Sequence, residues 1–136
     1  MELKANILRI ERLSLSDGKG MRTVVFFKGC PLRCAWCSTP ESQSGQREVY
    51  YMKERCTGCG ACIQVCPEQA LRRSEKTGEI VRNHSRCKQC FQCVDACNYR
   101  AQKIYGKEMT VKEVMREIQK DEMFFFYSDG GVTLSG

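Results

Sequence analysis

At 136 residues the chain has room for one domain, or for one and a small appendage. Eleven of its residues are cysteine, about 8%, the range in which cysteine dictates a fold. A mean hydropathy of −0.45 and the lack of any apolar run near the roughly 18 residues of a membrane helix fit a soluble protein, while a formal charge of +6 by itself allows a nucleic-acid partner.

The opening MELKANILRIERLS has no uninterrupted apolar core and no small-residue cleavage site. This argues against secretion and for a cytoplasmic protein, where cysteines serve metals or catalysis rather than disulfides. An odd cysteine count also leaves one unpaired in any pure disulfide scheme.

Residues 1–29 read as a hairpin-like start. Ile7, Ile10, Leu13 and Leu15 precede a glycine-punctuated turn at Asp17-Gly18-Lys19-Gly20. Thr23 to Phe27 then forms a β-branched and aromatic run without clean alternation, the pattern of a strand buried on both faces. It ends at Gly29, and Cys30, Cys34 and Cys37 follow at once. Residues 50–105 hold the other eight cysteines as an internal repeat. Cys56, Cys59, Cys62 and Cys66 recur as Cys87, Cys90, Cys93 and Cys97, each displaced by 31 positions, with Arg55 and Arg86 before each run and Ala70 and Ala101 after it. A duplicated half-domain is the simplest source. In residues 107–136, Thr110 and Glu113 make a capping box and Val111, Val114, Met115 and Ile118 share one helical face, predicting a helix over 111–120. MFFFYS, the Asp129-Gly130-Gly131 turn and a strand beginning at Val132 complete the chain.

CTGCGACIQVCP (Cys56 to Pro67) is the C-x2-C-x2-C-x3-C-P run of bacterial two-cluster ferredoxins, in which the fourth cysteine ligates the other cluster. Cys56, Cys59, Cys62 and Cys97 are therefore assigned to one [4Fe–4S] cluster, and Cys87, Cys90, Cys93 and Cys66 to a second. Gly58 and Gly60 suit a loop whose backbone N–H groups approach inorganic sulfide closely. Zinc is the plainer alternative, since two C-x2-C pairs can make a four-thiolate site, but it does not require this spacing twice over. Asn98 stands where the second half would repeat the proline.

Cys30, Cys34 and Cys37 form a C-x3-C-x2-C triad without an obvious fourth member. A closed structural metal site would use every coordination position. Three thiolates on a cubane instead leave one iron open to substrate. GCPLRCAWCSTPE (Gly29 to Glu41), with Trp36 just before the third cysteine, resembles the cluster loop of the radical S-adenosylmethionine (SAM) superfamily. Together with Asp17 to Cys37, the eight-cysteine insert and the terminal GGVTLSG (Gly130 to Gly136), the pattern resembles the glycyl-radical-enzyme activating enzymes that carry a two-cluster insert, relatives of pyruvate formate-lyase activase.

That resemblance implies three [4Fe–4S] clusters, with Cys30, Cys34 and Cys37 as the catalytic set whose open iron chelates SAM. Reductive cleavage of SAM would yield a 5′-deoxyadenosyl radical that takes the α-hydrogen of one glycine in a partner glycyl radical enzyme, the electron coming from a donor such as flavodoxin or ferredoxin. Trp36, Cys37 and Ser38 would lie against the SAM adenine. Ser135 and Gly136 match the opening of a Gly-Gly-Glu segment that contacts its amino group. The Asp17-Gly18 turn resembles a loop typical of the family, with Lys19 in place of its usual proline. The implied fold is α/β: the start of a partial (β/α) radical SAM barrel, truncated after the beginning of its second strand, with an inserted α+β bacterial ferredoxin-like 2[4Fe–4S] domain. Residues 1–49 and 106–136 would form the incomplete barrel and 50–105 the insert. A full barrel takes roughly 200 residues or more, so this chain by itself is expected to be inactive.

Two other functions compete with the activase: a freestanding 2[4Fe–4S] electron carrier, and a zinc-dependent nucleic-acid or interaction module. Counting oxidised cubanes at about −2, −2 and −1 reduces the formal charge to about +1, so no nucleic-acid partner is expected, and the lack of a long apolar run argues against a membrane one. His84, the only histidine, reads as a solvated loop residue, and so do Lys28 and Arg33 beside the cysteine triad. Phe124 to Tyr127 reads as core packing or as apolar surface awaiting further strands.

Overall fold

Strand β1 (Lys4–Ser14) and strand β2 (Arg22–Phe27) open the chain in the computed structural model, which describes residues 1–136. After the cysteine triad come β3 (Glu48–Tyr51), α1 (Ala61–Val65), β4 (Leu71–Arg73), β5 (Ile80–Arg82), α2 (Gln92–Asp95) and β6 (Gln102–Tyr105). The chain closes with β7 (Lys107–Thr110), α3 (Val111–Gln119), α4 (Glu122–Ser128) and β8 (Gly131–Ser135). It divides into two compact units, Met1–Arg47 with Gly106–Gly136, and Glu48–Tyr105.

The first unit is a four-stranded sheet in the order β7-β1-β2-β8. β1 runs antiparallel to β2, with Ile7 opposite Phe27 and Ile10 opposite Val25, whereas β8 lies parallel to β2, with Thr23 opposite Val132. Thr23, Val24 and Val25 are fully buried, as the non-alternating run implied for a central strand covered on both faces. Ile7, Val25, Met109 and Ile118 form the core, flanked by half-buried Ile10, Phe27, Val114, Phe125 and Val132. Full burial of each aliphatic side chain contributes about 1.5–3 kcal/mol.

Of three details of this unit, one departs from the sequence expectation and two were not read from the sequence. Lys107–Thr110 is a strand, pairing antiparallel with β1 at Lys4 to Ile7; its four residues are too few to show a period. The helix that begins at Val111 ends at Gln119, one residue early, although its capping box forms as anticipated: Glu113 N–H donates to Thr110 Oγ1 at 3.2 Å and Thr110 N–H donates to Glu113 Oε2 at 2.8 Å. MFFFYS is helical, turning Phe125 into the core and leaving Phe124, Phe126 and Tyr127 exposed.

The second unit holds two antiparallel pairs, β3 with β6 and β4 with β5. Its core joins Val49, Leu71 and Ile80 to Cys62 and Cys93, so the cysteines are part of the packing. A boundary at residue 50 would cut β3, which belongs with its partner β6 from Glu48 onward. No helix of the chain is long and apolar enough to cross a membrane.

Candidate metal centres

The 31-residue repeat of sequence is also a repeat of backbone. Gly58 and Gly60 adopt positive φ angles of 76° and 77°, and the positions 31 later, Gln89 and Phe91, adopt 54° and 65° without being glycine. Gln69 and Arg100 form a further matched pair at 48° and 53°. A left-handed conformation costs a non-glycine residue roughly 1–2 kcal/mol, so the second loop holds its shape against local preference. Gln89 offsets part of this cost, because its Oε1 accepts a hydrogen bond from Val49 N–H at 3.2 Å. With Asn98 in place of the proline, the second helix ends one residue earlier than the first, while the hydrogen bond to the fourth cysteine is kept. Ala70 N–H donates to Cys66 Sγ at 3.3 Å, and Ala101 N–H to Cys97 Sγ at the same distance.

Each half therefore turns its first three cysteines one way and its fourth another. Cys56, Cys59, Cys62 and Cys97 line one small hollow, together with Gly60, Ile80 and Gln102. Cys66, Cys87, Cys90 and Cys93 line a second, with Arg82 and Phe91. These are the two crossed sets read from the spacing. No three His, Cys, Asp or Glu side chains gather tightly enough for a single ion, and all eleven cysteines are free of disulfides. Four thiols spread around a hollow fit a cubane, a body of several atoms, which meets the donor chemistry of an iron–sulfur site.

The thiols differ in environment. Burial pushes the Cys62 thiol up, against the opposing hydrogen bond from Gln102. Burial also opposes ionisation of Cys97, but backbone N–H groups of Gln102, Ala101, Tyr99 and Arg100 outweigh it and hold that thiol below its ordinary range. Arg82 donates to Cys87 Sγ at 3.3 Å and to Cys93 Sγ at 3.6 Å, and also to Gln102 Oε1 at 2.8 Å. Neither Arg82 nor Gln102 stands out in the sequence as a site residue.

Cys30, Cys34 and Cys37 are half-buried on an otherwise exposed loop directly after β2. The loop is pinned at its neck. Gly29 N–H and Cys30 N–H both donate to the Ser42 carbonyl, at 2.6 and 3.1 Å, from a 3-10 turn at Pro40–Ser42. Lys28, expected in solvent, is buried at 7% exposure, and its Nζ donates to the carbonyls of Glu41 and Ser44. Its charge is matched by backbone dipoles, which a sequence does not display. Arg33 is exposed, as expected, and donates to the carbonyls of Cys30 and Leu32. Trp36 is 85% exposed, Ser38 is exposed, and neither is drawn into the core. His84 is exposed.

Gly136 lies just past the carboxyl end of β8, beside the parallel strand β2 whose carboxyl end leads into Cys30. At a φ of 138°, a β-carbon there would stand 2.5 Å from the Phe27 carbonyl oxygen. The triad and Gly136 thus share one end of a parallel strand pair, the usual place for ligands in α/β sheets.

Residues 48–98 match a family model described as a 4Fe-4S dicluster domain. Nearly the whole chain is similar to activating enzymes of glycyl radical enzymes. It is 44% identical to the benzylsuccinate synthase activating enzyme of Thauera aromatica, over 96% of this chain and 40% of the relative. It is 43% identical to the indoleacetate decarboxylase activating enzyme of Tractidigestivibacter scatoligenes, over 99% and 45%. It is 44% identical to the trans-4-hydroxy-L-proline dehydratase activating enzyme of Clostridioides difficile, over 96% and 42%. Over nearly its whole length the chain is thus similar to activating enzymes of glycyl radical enzymes, and residues 48–98 match a ferredoxin-type 4Fe–4S domain. It spans less than half the length of these curated relatives.

Proposed function

We propose that this chain forms the cluster-binding part of a glycyl-radical-enzyme activase. Cys30, Cys34 and Cys37 would hold a [4Fe–4S] cluster with one open iron, and the two crossed sets of four would hold two more. The observation that carries this reading is the shared location of the pinned three-cysteine loop and Gly136 at the carboxyl ends of β2 and β8. Cys30, Cys34 and Cys37 would hold the cluster there, and cluster and SAM together would supply the one-electron chemistry for taking a glycine hydrogen from a partner enzyme.

The protein's own residues do the positioning. Thr23 to Phe26 are buried in the sheet and give the loop a rigid base, while Ser42 and Lys28 hold its two ends together. The exposed Trp36 and Ser38 are free to meet the adenine, and Gly136, packed too closely on Phe27 of β2 to admit a side chain, would lie near the SAM amino group. We read β2, the connection through α3 and α4, and β8 as the first parallel unit of a partial (β/α) barrel. A flavodoxin or ferredoxin would deliver the electron.

Electron paramagnetic resonance of the anaerobically reconstituted, reduced chain, with and without SAM, tests this. The expected result is a signal that changes on adding SAM and is lost when Cys34 is replaced by alanine. Spectra that SAM leaves unchanged contradict it.

A further inference from the structure

Arg82 and Gln102 form a polar bridge between the two four-cysteine hollows. Arg82, on β5, is half-buried and lines the hollow of Cys66, Cys87, Cys90 and Cys93, where it donates to two of the four thiols, Cys87 and Cys93. Its third hydrogen bond runs to Oε1 of Gln102, which is 2% exposed. Gln102 lines the other hollow, where its Nε2 faces Cys62 Sγ at 3.9 Å. One guanidinium is thereby fixed on one cluster site, and only a neutral amide is passed on to the other.

Around the first hollow, the donors to sulfur are neutral: Gly58 N–H to Cys56, Ala101 N–H to Cys97 and Gln102 to Cys62. The nearby Arg73 is exposed and donates to the Gly58 carbonyl rather than to a thiol. Around the second hollow, the exposed Lys88 is paired with Glu68 at 2.9 Å, so that cation is already compensated. Arg82 remains as the charge in contact with sulfur. Cys62 and Cys93 are both buried, at 8% and 5% exposure, so solvent access at these two thiols does little to separate the sites.

Adding an electron makes a four-thiolate cubane more negative, and a fixed cation donating to its thiolates stabilises the reduced form. We propose that Arg82 makes the cluster of Cys66, Cys87, Cys90 and Cys93 the more oxidising of the two, so that one electron given to the pair resides there. This rests on the ligand sets proposed above. Gln102 is a positioning residue: it aims the guanidinium at the sulfurs.

Redox titration of the full chain with Cys30, Cys34 and Cys37 replaced by alanine isolates the pair. The expected wild-type behaviour in this background is about eight iron atoms and two one-electron midpoints, four irons to each cubane. Arg82→Gln is expected to lower the higher midpoint by at least tenfold in equilibrium constant, about 59 mV for one electron, and to move the lower one less than half as far. Arg82→Lys is expected to fall between, and Arg73→Gln to leave the higher midpoint in place. Retention of about eight irons with an unmoved higher midpoint in Arg82→Gln, or equal shifts of both midpoints, overturns the proposal. If Arg82→Gln loses iron, Arg82→Lys decides: a lowered higher midpoint supports the proposal and an unmoved one overturns it. An Arg82-containing chain that takes up fewer than about eight irons overturns the ligand sets instead.

Discussion

Lys28 Nζ donates a hydrogen bond to the Glu41 carbonyl at 2.8 Å, closing the neck of the loop that carries Cys30, Cys34 and Cys37. A second bond, to the Ser44 carbonyl at 2.9 Å, makes the lysine a clamp between the end of β2 and the return of the loop. Lys28→Met keeps the aliphatic stem but leaves both carbonyls without this donor, a loss of about 2 kcal/mol. The expected outcome is reduced amide-exchange protection at β1 and β2, and faster proteolysis between Gly29 and Glu41. Unchanged protection in the methionine variant would show that water replaces the clamp at no cost.

A second buried polar contact gives the sheet unit an acid sensitivity. Asp121 is fully buried; Arg12 holds it through two guanidinium nitrogens, with Nε at 2.9 and 3.0 Å from its two oxygens, and Thr23 Oγ1 donates to it at 2.7 Å. The Arg12 hydrogen bonds, opposed by burial and aided by Thr23, hold its carboxyl below the ordinary 3.8. A depressed carboxyl contributes stability that is fully present above its unfolded pKa and is lost as pH falls through its folded one. Urea unfolding of the metal-free chain should therefore show this contribution intact at neutral pH and declining below pH about 4. Asp121→Asn is expected to cost about 2–3 kcal/mol, at the low end for a broken buried pair because Arg12 is half-exposed, and to remove that part of the acid slope. An asparagine variant with the wild-type slope would assign it to other carboxyls.

The crossed ligand sets make an asymmetric prediction about single cysteines. With Cys87, Cys90 and Cys93 replaced by alanine, the remaining hollow of Cys56, Cys59, Cys62 and Cys97 should still bind about four irons in this unit. Adding Cys97→Ala should weaken that binding, leaving one iron without a cysteine ligand, although Cys97 belongs to the other repeat; adding Cys66→Ala should not. Iron analysis that responds to Cys66 and ignores Cys97 would mean that each repeat binds its own cluster.

Two glycines separate close approach from conformation. A β-carbon on Gly130 would stand 1.9 Å from the Met21 carbonyl oxygen, where the turn before β8 crosses the start of β2. Gly78 has a φ of 72° and open space around it. Gly130→Ala is expected to destabilise by about 3 kcal/mol and Gly78→Ala by about 1 kcal/mol. Equal losses in thermal unfolding would remove the packing argument at Gly130.

The cysteine pattern was legible because its spacing is itself the geometry: three thiols on one loop and a fourth past a helical turn divide in sequence as they divide in space. The Thr110–Glu113 box and the unbroken Thr23–Phe27 run were legible for the same reason, since both rest on neighbours along the chain. What could not be read depends on partners far away. Lys28 looks like a surface cation until the carbonyls of Glu41 and Ser44 are placed around it, and Asp121 is about a hundred residues from Arg12 and Thr23. Gln89 and Phe91 gave no turn signal because neither is glycine; the packing of the second half imposes their left-handed shape. Arg82 and Gln102 were hidden in short strands whose register decides which hollow they face.

The central claim is that eleven thiolates divide into two closed sets and one open one. Mössbauer spectroscopy of the anaerobically reconstituted full chain, with and without SAM, tests it most directly. The expected result is about twelve irons per chain, four in each cubane, with SAM changing the spectrum of about one of them. About eight irons and no change on adding SAM would contradict it and leave an electron carrier in its place.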